Sequence, residues 1–392
     1  MDHNIQVKVF RTFEELETIR DLWQAMVRHP NGDFDFYSTV VKARAEIKSP
    51  HVFVLFQDNK PSCMLIGRIE EAPMEIKLGY FAVAQPRLCQ LTMVYGGGAG
   101  AIGAPEADIF LKSIGSLLKD HAFEAVLFNN LRAGSALHQA IRRNIGVLNR
   151  DHAALLNPHW TAVISRSPDD FLKKISRNHR YTLRRQVRLF ETTFADKLAI
   201  RVYTRDEQVS VLCTDVERIA QKTYQRGIGA GFTHSPEMED RLHVHARASS
   251  LRGYVLSIEG VPCAFWIGTL YKGVFYLDFT GYDAQYHAHA PGIYLFLKMV
   301  EDLCSNTAAT SMDFGFGDAD YKRRFGDTRW DEVSVMLFEG SLKGLALNLA
   351  RHLTLSLTIC INAAVSSTIV RMIKKKWRMR LGKKQNLKAT QV

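Results

Sequence analysis

The chain lacks the signatures of most chemistries that can be read directly from a sequence. Its six cysteines, Cys63, Cys89, Cys213, Cys263, Cys304 and Cys360, are scattered; none forms a CxxC pair, and no histidines gather around them at metal-ligand spacing. That pattern excludes a zinc ribbon and a disulfide-stapled scaffold, and it predicts reduced core thiols in a reducing compartment. There is no GK[ST], no HExxH and no GxSxG. The opening residues, MDHNIQVKVFRTFEELE, have neither a basic start nor an apolar h-region, so the protein is expected to stay in the cytoplasm. No fixed-period repeat or low-complexity tract stands out. Acidic residues are missing from one place in particular: residues 371–392 hold nine Lys/Arg and no Asp or Glu.

What is present suits a large folded protein. The 392 residues are 46% hydrophobic, which supplies ample core, and the length favours two domains. The net charge of +11 is concentrated. Residues 166–190 carry eight Lys/Arg against Asp169 and Asp170, and the tail carries nine more, so the remainder is slightly acidic. Each basic patch should attract something anionic.

Periodicity predicts a helix over 9–28, capped by Thr12 with Glu15 three residues on. HVFVLFQDNKPSCMLIGRIE reads as strand, Asp58-Asn59 turn, strand. LTMVYGGGAGAIGAPE reads as a strand entering a glycine-rich loop, followed by a helix over 106–121 and a strand at AVLFNN. One helix is expected over 168–191, opened by Ser167-Pro168, with Leu172, Ile175, Leu183, Val187 and Phe190 on its apolar side. Lys173, Arg177, Arg180, Arg184 and Arg188 line the opposite flank. Helices over 206–226 and 236–249 precede three strands joined by Glu259-Gly260 and Lys272-Gly273. Helix 292–305, strand 310–316, helix 318–325 and strand VSVMLFEG complete the second half.

Four stretches could carry chemistry. Gly98, Gly100 and Gly103 satisfy GxGxxG, but Pro105 starts the helix late and no ribose-binding acid follows in a compact βαβ unit; a loop of closely passing backbones is the better reading. Pro291-Gly292 opens a helix just after a strand, and the N–H groups of Gly292, Ile293 and Tyr294 at its positive end could cradle a phosphate. In SMDFGFGDADYKRRFGD, Gly315 and Gly317 permit close approach of a ligand or another backbone, Asp318 could cap the next helix, Tyr321 could give a proton, and Lys322, Arg323 and Arg324 are cations. The fourth is the basic helix, which suits guidance of a phosphate-bearing partner better than nucleic acid, because only His179 and Tyr181 are available for stacking.

The second-half order, with FLKKISRNHRYTLRRQVRLFE, FTGYDAQYHAHAPGIYLFLKMVED and MDFGFGDADYKRRFGD, resembles the GNAT acyltransferase core. It is most similar to the double-GNAT, Fem-like branch that includes CelD-type proteins of cellulose and exopolysaccharide operons. The resemblance covers roughly residues 5–340. It implies an α/β (α+β) fold of tandem GNAT-like domains, 1–160 and 161–340, each a mixed, mostly antiparallel sheet flanked by helices, with a helical tail over 341–392. It implies an acyl-CoA co-substrate such as acetyl-CoA, no metal, and a small-molecule or carrier-linked acceptor. The pyrophosphate would lie on the Pro291-Gly292 helix and the thioester in a V where strands 274–280 and 310–316 splay. The cofactor-binding set is then Phe279, Gly281, Pro291, Gly292, Ile293, Tyr294, Gly315 and Arg324. Tyr321, one residue further than usual from its following Gly, would protonate the leaving thiolate, and Lys322 matches the lysine implicated in transfer by Fem-like enzymes. HAHAPG stands where GNATs usually carry Q/R-x-x-G-x-G/A, a loop that Fem enzymes with aminoacyl-tRNA donors also lack.

Direct attack by an amine or hydroxyl needs a base, and Asp278, Asp283 and Asp313 are the carboxylates near the strand ends. A strand N–H near Phe279 would polarise the carbonyl. Three readings stay open: an acyl-CoA-dependent transferase with an envelope-related acceptor, an aminoacyl-tRNA-dependent transferase, and a non-catalytic module of a membrane polysaccharide synthase. The uncharged run 353–370 would make a helix of about 27 Å. With the basic residues up to 388, it is expected to rest on an anionic membrane surface rather than to span it, making the protein peripheral on the inner membrane.

Overall fold

The computed structural model describes residues 5–78, 81–151, 155–223, 226 and 231–364. The basic tail of 371–392 and the end of the apolar run, 365–370, lie outside the described residues.

The chain folds as two compact units. One comprises the residues up to Pro158 and a return segment from Trp330; the other comprises His159–Arg329. The division differs from the expected boundaries at 160/161 and 340, because residues after 330 complete the first unit.

The first unit begins with β1 (Ile5–Phe10), and α1 (Phe13–Glu17) follows. The expected capping box is present: the Thr12 hydroxyl accepts from the Glu15 N–H, and the Glu15 carboxylate accepts from the Thr12 N–H, both at 3.2 Å. The expected helix over 9–28 is in fact β1 and two short helices, because the chain turns at Thr18-Ile19 before α2 (Arg20–Met26). α3 (Phe34–Ala43) leads to β2 (Ile47–Gln57) and β3 (Lys60–Pro73). Asp58 and Asn59, with φ of 50° and 61°, form the tight turn between them.

A small ribbon, β4 (Ile76–Leu78) and β5 (Phe81–Ala84), precedes β6 (Arg87–Gly100). The glycines expected in a loop belong to β6, where Gly98 to Gly100 pair with Leu65 to Cys63. α4 (Ala104–Lys119), β7 (Ala125–Arg132) and α5 (Ala136–Asn144) follow, and β14 (Thr328–Phe338) and α12 (Leu342–Ala364) return from the far end of the sequence. The sheet order is β1-β2-β3-β6-β7-β14. The β6–β7 pair is parallel and the other described pairs are antiparallel. Phe110, Leu111 and Ile114 of α4 bury against Phe53, Leu65, Val126 and Phe128 of the sheet.

The second unit repeats this plan. β8 (Asn157–Val163) leads to α6 (Pro168–Leu172) and α7 (Arg177–Phe194). The single helix expected over 168–191 is therefore broken. Ser176 caps α7, and Arg180 Nη1 donates to the carbonyls of Lys173 and Ile175 at 2.9 and 2.7 Å, which closes the break. β9 (Leu198–Tyr203), α8 (Val209–Ala220) and α9 (Pro236–Arg247) precede the meander of β10 (Leu251–Ile258), β11 (Val261–Tyr271) and β12 (Val274–Tyr282). Its turns are the expected ones, with Glu259, Gly260, Lys272 and Gly273 all at positive φ.

α10 (Pro291–Asn306) crosses to β13 (Ser311–Phe316), and α11 (Asp320–Phe325) closes the unit. The order is β8-β13-β12-β11-β10-β9, with β12–β13 parallel and the other described pairs antiparallel. One face packs on α7, α10 and α11 through Leu183, Phe190, Phe296, Phe314 and Phe325. The other packs on α8 through Leu212, Val216, Phe265 and Ile267.

All six cysteines are free thiols, and Cys63, Cys213 and Cys263 are buried. Burial pushes the Cys213 and Cys263 thiols up to about 12, so both behave as small apolar core residues.

Candidate functional site

The second unit contains a V-shaped opening between two parallel strands. β12 and β13 pair only through Val274–Ser311, Phe275–Met312 and Tyr276–Asp313; beyond that point β13 stays paired with β8 and parts from β12. A bulge marks the place. Ile267 faces Phe279 and Gly268 faces Leu277, so Asp278 is the extra residue on β12.

Asp278 sits where its protonated form is favoured. Its side chain reaches solvent, yet protein crowds it closely, and that burial pushes its carboxyl up to about 6. The Thr269 hydroxyl, donating to Asp278 Oδ2 at 3.0 Å, and the Arg241 charge oppose the rise, while the Asp313 charge adds to it. Asp313 Oδ1 accepts the Gly315 N–H at 2.7 Å and lies 2.7 Å from Nε2 of the fully buried His159 on β8. Burial, and after it the Asp313 charge, pushes the Tyr276 hydroxyl up to about 12, so it stays protonated at neutral pH.

These groups share one face of the sheet. Thr269 is two residues from Ile267, which packs on α8, and Asp313 lies between Met312 and Phe314, which pack on the opposite face. Asp283, the third expected base, is not free for that role. It is buried, caps the following turn by accepting from the Gln285 N–H at 3.0 Å, and holds Lys222 Nζ at 2.6 Å.

On the α10 and α11 face, Tyr321 sits among aromatic rings, 5.2 Å from Trp266 and 5.9 Å from Phe314 between centroids. The cations beside it have three different environments. Lys322 is buried, and its ammonium donates to the carbonyls of Gly315 and Phe316 at 3.1 and 2.7 Å. It thereby satisfies backbone groups where β13 ends in two left-handed glycines, Gly315 and Gly317, at φ 68° and 92°. Arg323 forms surface ion pairs with Asp318 and Asp320. Arg324 is exposed. The expected cap at Asp318 is not made: Ala319 holds the N-cap position of α11, and Asp318 serves Arg323 instead.

The N-cap of α10 is Ala290, which adopts φ 51° and ψ 50° and makes no side-chain cap hydrogen bond. Trp266 Nε1 donates to the Gly292 carbonyl at 3.0 Å and fixes this end. Of the three amides expected to cradle phosphate, those of Ile293 and Tyr294 donate to the Ala290 carbonyl at 3.1 and 3.2 Å. The Tyr294 ring stacks on Phe190 at 4.5 Å, so its side chain is a packing element. Pro291 is buried and has no N–H to give. Gly281 is needed for packing, since a Cβ there would meet Phe265 at 2.7 Å, and Phe279 packs edge-on to Phe232 at 5.6 Å.

The first unit has a matching splay, because β6 and β7 pair in parallel only through Gln90–Met93 and Ala125–Phe128. Its helix start is already filled: the Glu106 carboxylate accepts the Gly103 N–H at 3.0 Å. That negative charge would repel a phosphate, which also removes the GxGxxG run as an anion site. Among the described residues no group of three or more His, Cys, Asp or Glu is placed to hold a metal ion.

Residues 177–323, from the first residue of α7 into α11, match the family model for the acetyltransferase (GNAT) domain. This segment is thus similar to a GNAT acetyltransferase domain. Among solved structures the chain is similar to FemX, with TM-score 0.58 and 10% identity over 88% of this chain and 100% of that one. It is also similar to a tandem GNAT protein from the clavulanic acid biosynthesis pathway (TM-score 0.49, 9% identity, 86% and 99% covered). A third is the C-terminal domain of a putative lysylphosphatidylglycerol synthetase from Agrobacterium fabrum (TM-score 0.49, 11% identity, 86% and 95% covered). A search of curated proteins gives no match. The fold is the one expected from the sequence, tandem GNAT-like units with mixed, mostly antiparallel sheets and a C-terminal helix.

His159 was not among the residues singled out from the sequence. A lone His in NPHWTAV gives no signal until β8 is known to pair with β13.

Proposed function

We propose that the second unit transfers an acyl group from acyl-CoA to an amine or hydroxyl, with Asp278 as general base. The observation that carries this reading is a carboxylate held at about 6 on a bulge, where two parallel strands part within a GNAT-like domain.

The donor would enter from the α10 and α11 face. The Gly292 N–H and the positive end of α10 would meet its pyrophosphate, and exposed Arg324 would meet its other phosphates. The thioester carbonyl would sit in the V, polarised by a β12 amide near Phe279. The acceptor would approach from the opposite face, and its nitrogen or oxygen would attack the carbonyl carbon as Asp278 took its proton. Collapse of the tetrahedral adduct would break the C–S bond and release a thiolate, which Tyr321 would protonate on the α10 side. Asp313 and His159 would hold the β13 wall and keep the Asp278 carboxyl basic. Lys322 would act on the shape of the Gly315–Gly317 turn rather than on the leaving group.

The acceptor class follows the Fem-like and CelD-like resemblance: an amine or hydroxyl borne by an envelope polysaccharide or lipid. An aminoacyl-tRNA donor is the second reading, favoured by Arg177, Arg185 and Arg188, all exposed on α7, and by the absence of the usual phosphate loop. Thermal melting with acetyl-CoA and with deacylated tRNA separates the two. Stabilisation by acetyl-CoA alone supports the first, stabilisation by tRNA alone supports the second, and a response to neither overturns both.

A further inference from the structure

α12 is amphipathic in the reverse sense. A surface helix ordinarily turns its apolar stripe to the body and its charges to water. Here Asn348 and Arg351 turn inward, and Lys343, itself exposed, reaches back to the body. Lys343 pairs with Glu124, Asn348 Nδ2 donates to the carbonyls of Leu148 and Arg150 at 2.8 and 3.1 Å, and Arg351 Nε meets the Asp151 carboxylate at 2.8 Å. Leu347 and Ala350 pack on the cluster of Met336 and Phe338. These contacts fix the rotation of the helix.

The outward face carries Leu345, Leu349, Leu353, Leu357 and Ile361, spaced four residues apart and 41–58% exposed. Leu342, 87% exposed, begins the same face, and Ala346 and Cys360 lie within it. No charged side chain interrupts this stripe.

Leu342–Ile361 is long and apolar enough to cross a membrane, with a mean hydropathy of 1.3. Crossing would pull Arg351 from Asp151 and Asn348 from its two carbonyls and place both in hydrocarbon, which strongly disfavours unpaired polar groups. A bilayer surface demands neither. We propose that α12 lies in the headgroup–acyl boundary of an anionic membrane through the Leu345–Ile361 stripe.

The charge pattern selects this occupant. The sequence that follows the helix, 371–392, has nine Lys/Arg, one Trp and no acid. An apolar stripe followed by a polybasic segment is the combination that anionic lipid attracts, through buried apolar area and through charge. A second copy of this chain would match the apolar stripe but would bring two such segments together, and like charge opposes that pairing.

The test is flotation of the full chain with phosphatidylcholine vesicles, with and without phosphatidylglycerol, for the natural sequence and for the L349E/L353E double variant. Neither step needs an acyl donor, so the outcome is independent of the transferase reading. Both leucines face outward, so circular dichroism and melting should be unchanged. Expected are binding to the anionic vesicles, weakening with added salt, and a loss of at least ~10-fold in the partition coefficient of the double variant. The proposal is overturned if the double variant floats like the natural chain. It is equally overturned if neither binds vesicles while sedimentation shows a dimer that the substitutions dissociate.

Discussion

Asp278→Asn removes the proposed base while keeping the side-chain shape and an acceptor for the Thr269 hydroxyl. General-base assistance contributes roughly 10²–10⁴-fold, so acceptor-dependent CoA release should fall by that factor well above the Asp278 pKa. In the natural protein the logarithm of the rate should rise with unit slope and level off at about pH 6, and the variant should lose that limb. Stability should move the other way. The folded-state pKa of Asp278 is raised, so between about pH 4 and 6 the folded protein holds a proton that the unfolded chain has released. Stability therefore falls as pH rises through that window, and the ionised carboxylate remains a cost above it. Because Asp278 reaches solvent, screening leaves about 1 kcal/mol of that cost. The Asn variant should melt roughly 2–4 °C higher than the natural protein at neutral pH and equal it at about pH 4. Calorimetry and a thiol-release assay on the same preparations read both effects. Full activity with an unchanged acid limb would exclude Asp278 as the base, as would a loss of activity accompanied by a lower melting temperature.

Asp313→Asn should shift the acid limb of the rate profile to lower pH, because the Asp313 charge helps to raise the Asp278 carboxyl; an acid limb that stays in place would contradict that coupling. Lys322→Ala should lose ~2–4 kcal/mol, since two carbonyls at the end of β13 lose their donor, so its activity has to be read per folded molecule. Ala290→Gly should gain about 0.5–1 kcal/mol by relieving a left-handed alanine; a lower urea midpoint would contradict that strain.

The β10–β12 meander was legible because its turns have local chemistry: Glu-Gly and Lys-Gly pairs at positive φ between strongly apolar strands. The break between α6 and α7 was not, since the apolar spacing runs across it and only the Arg180 side chain, folded back onto two carbonyls, shows the interruption. The glycines of β6 looked like a loop because nothing local reveals that β3 pairs with them. The same limit applied at the site. The sequence placed Asp278, Asp283 and Asp313 near strand ends, but their separation into a raised carboxyl, a capped ion pair and a histidine partner depends on Lys222, Thr269 and His159 from other elements. A run of three cations likewise said nothing about which would be buried.

Hydrogen exchange of the full chain with and without acetyl-CoA reads whether an acyl-CoA donor occupies the V between β12 and β13 against the start of α10. Slower exchange is expected at Phe279–Tyr282, at Gly292 and at Gly315–Phe316, with the first unit's Gly103 unaffected. Binding of acetyl-CoA that leaves those amides unchanged, or protects Gly103 instead, would contradict it.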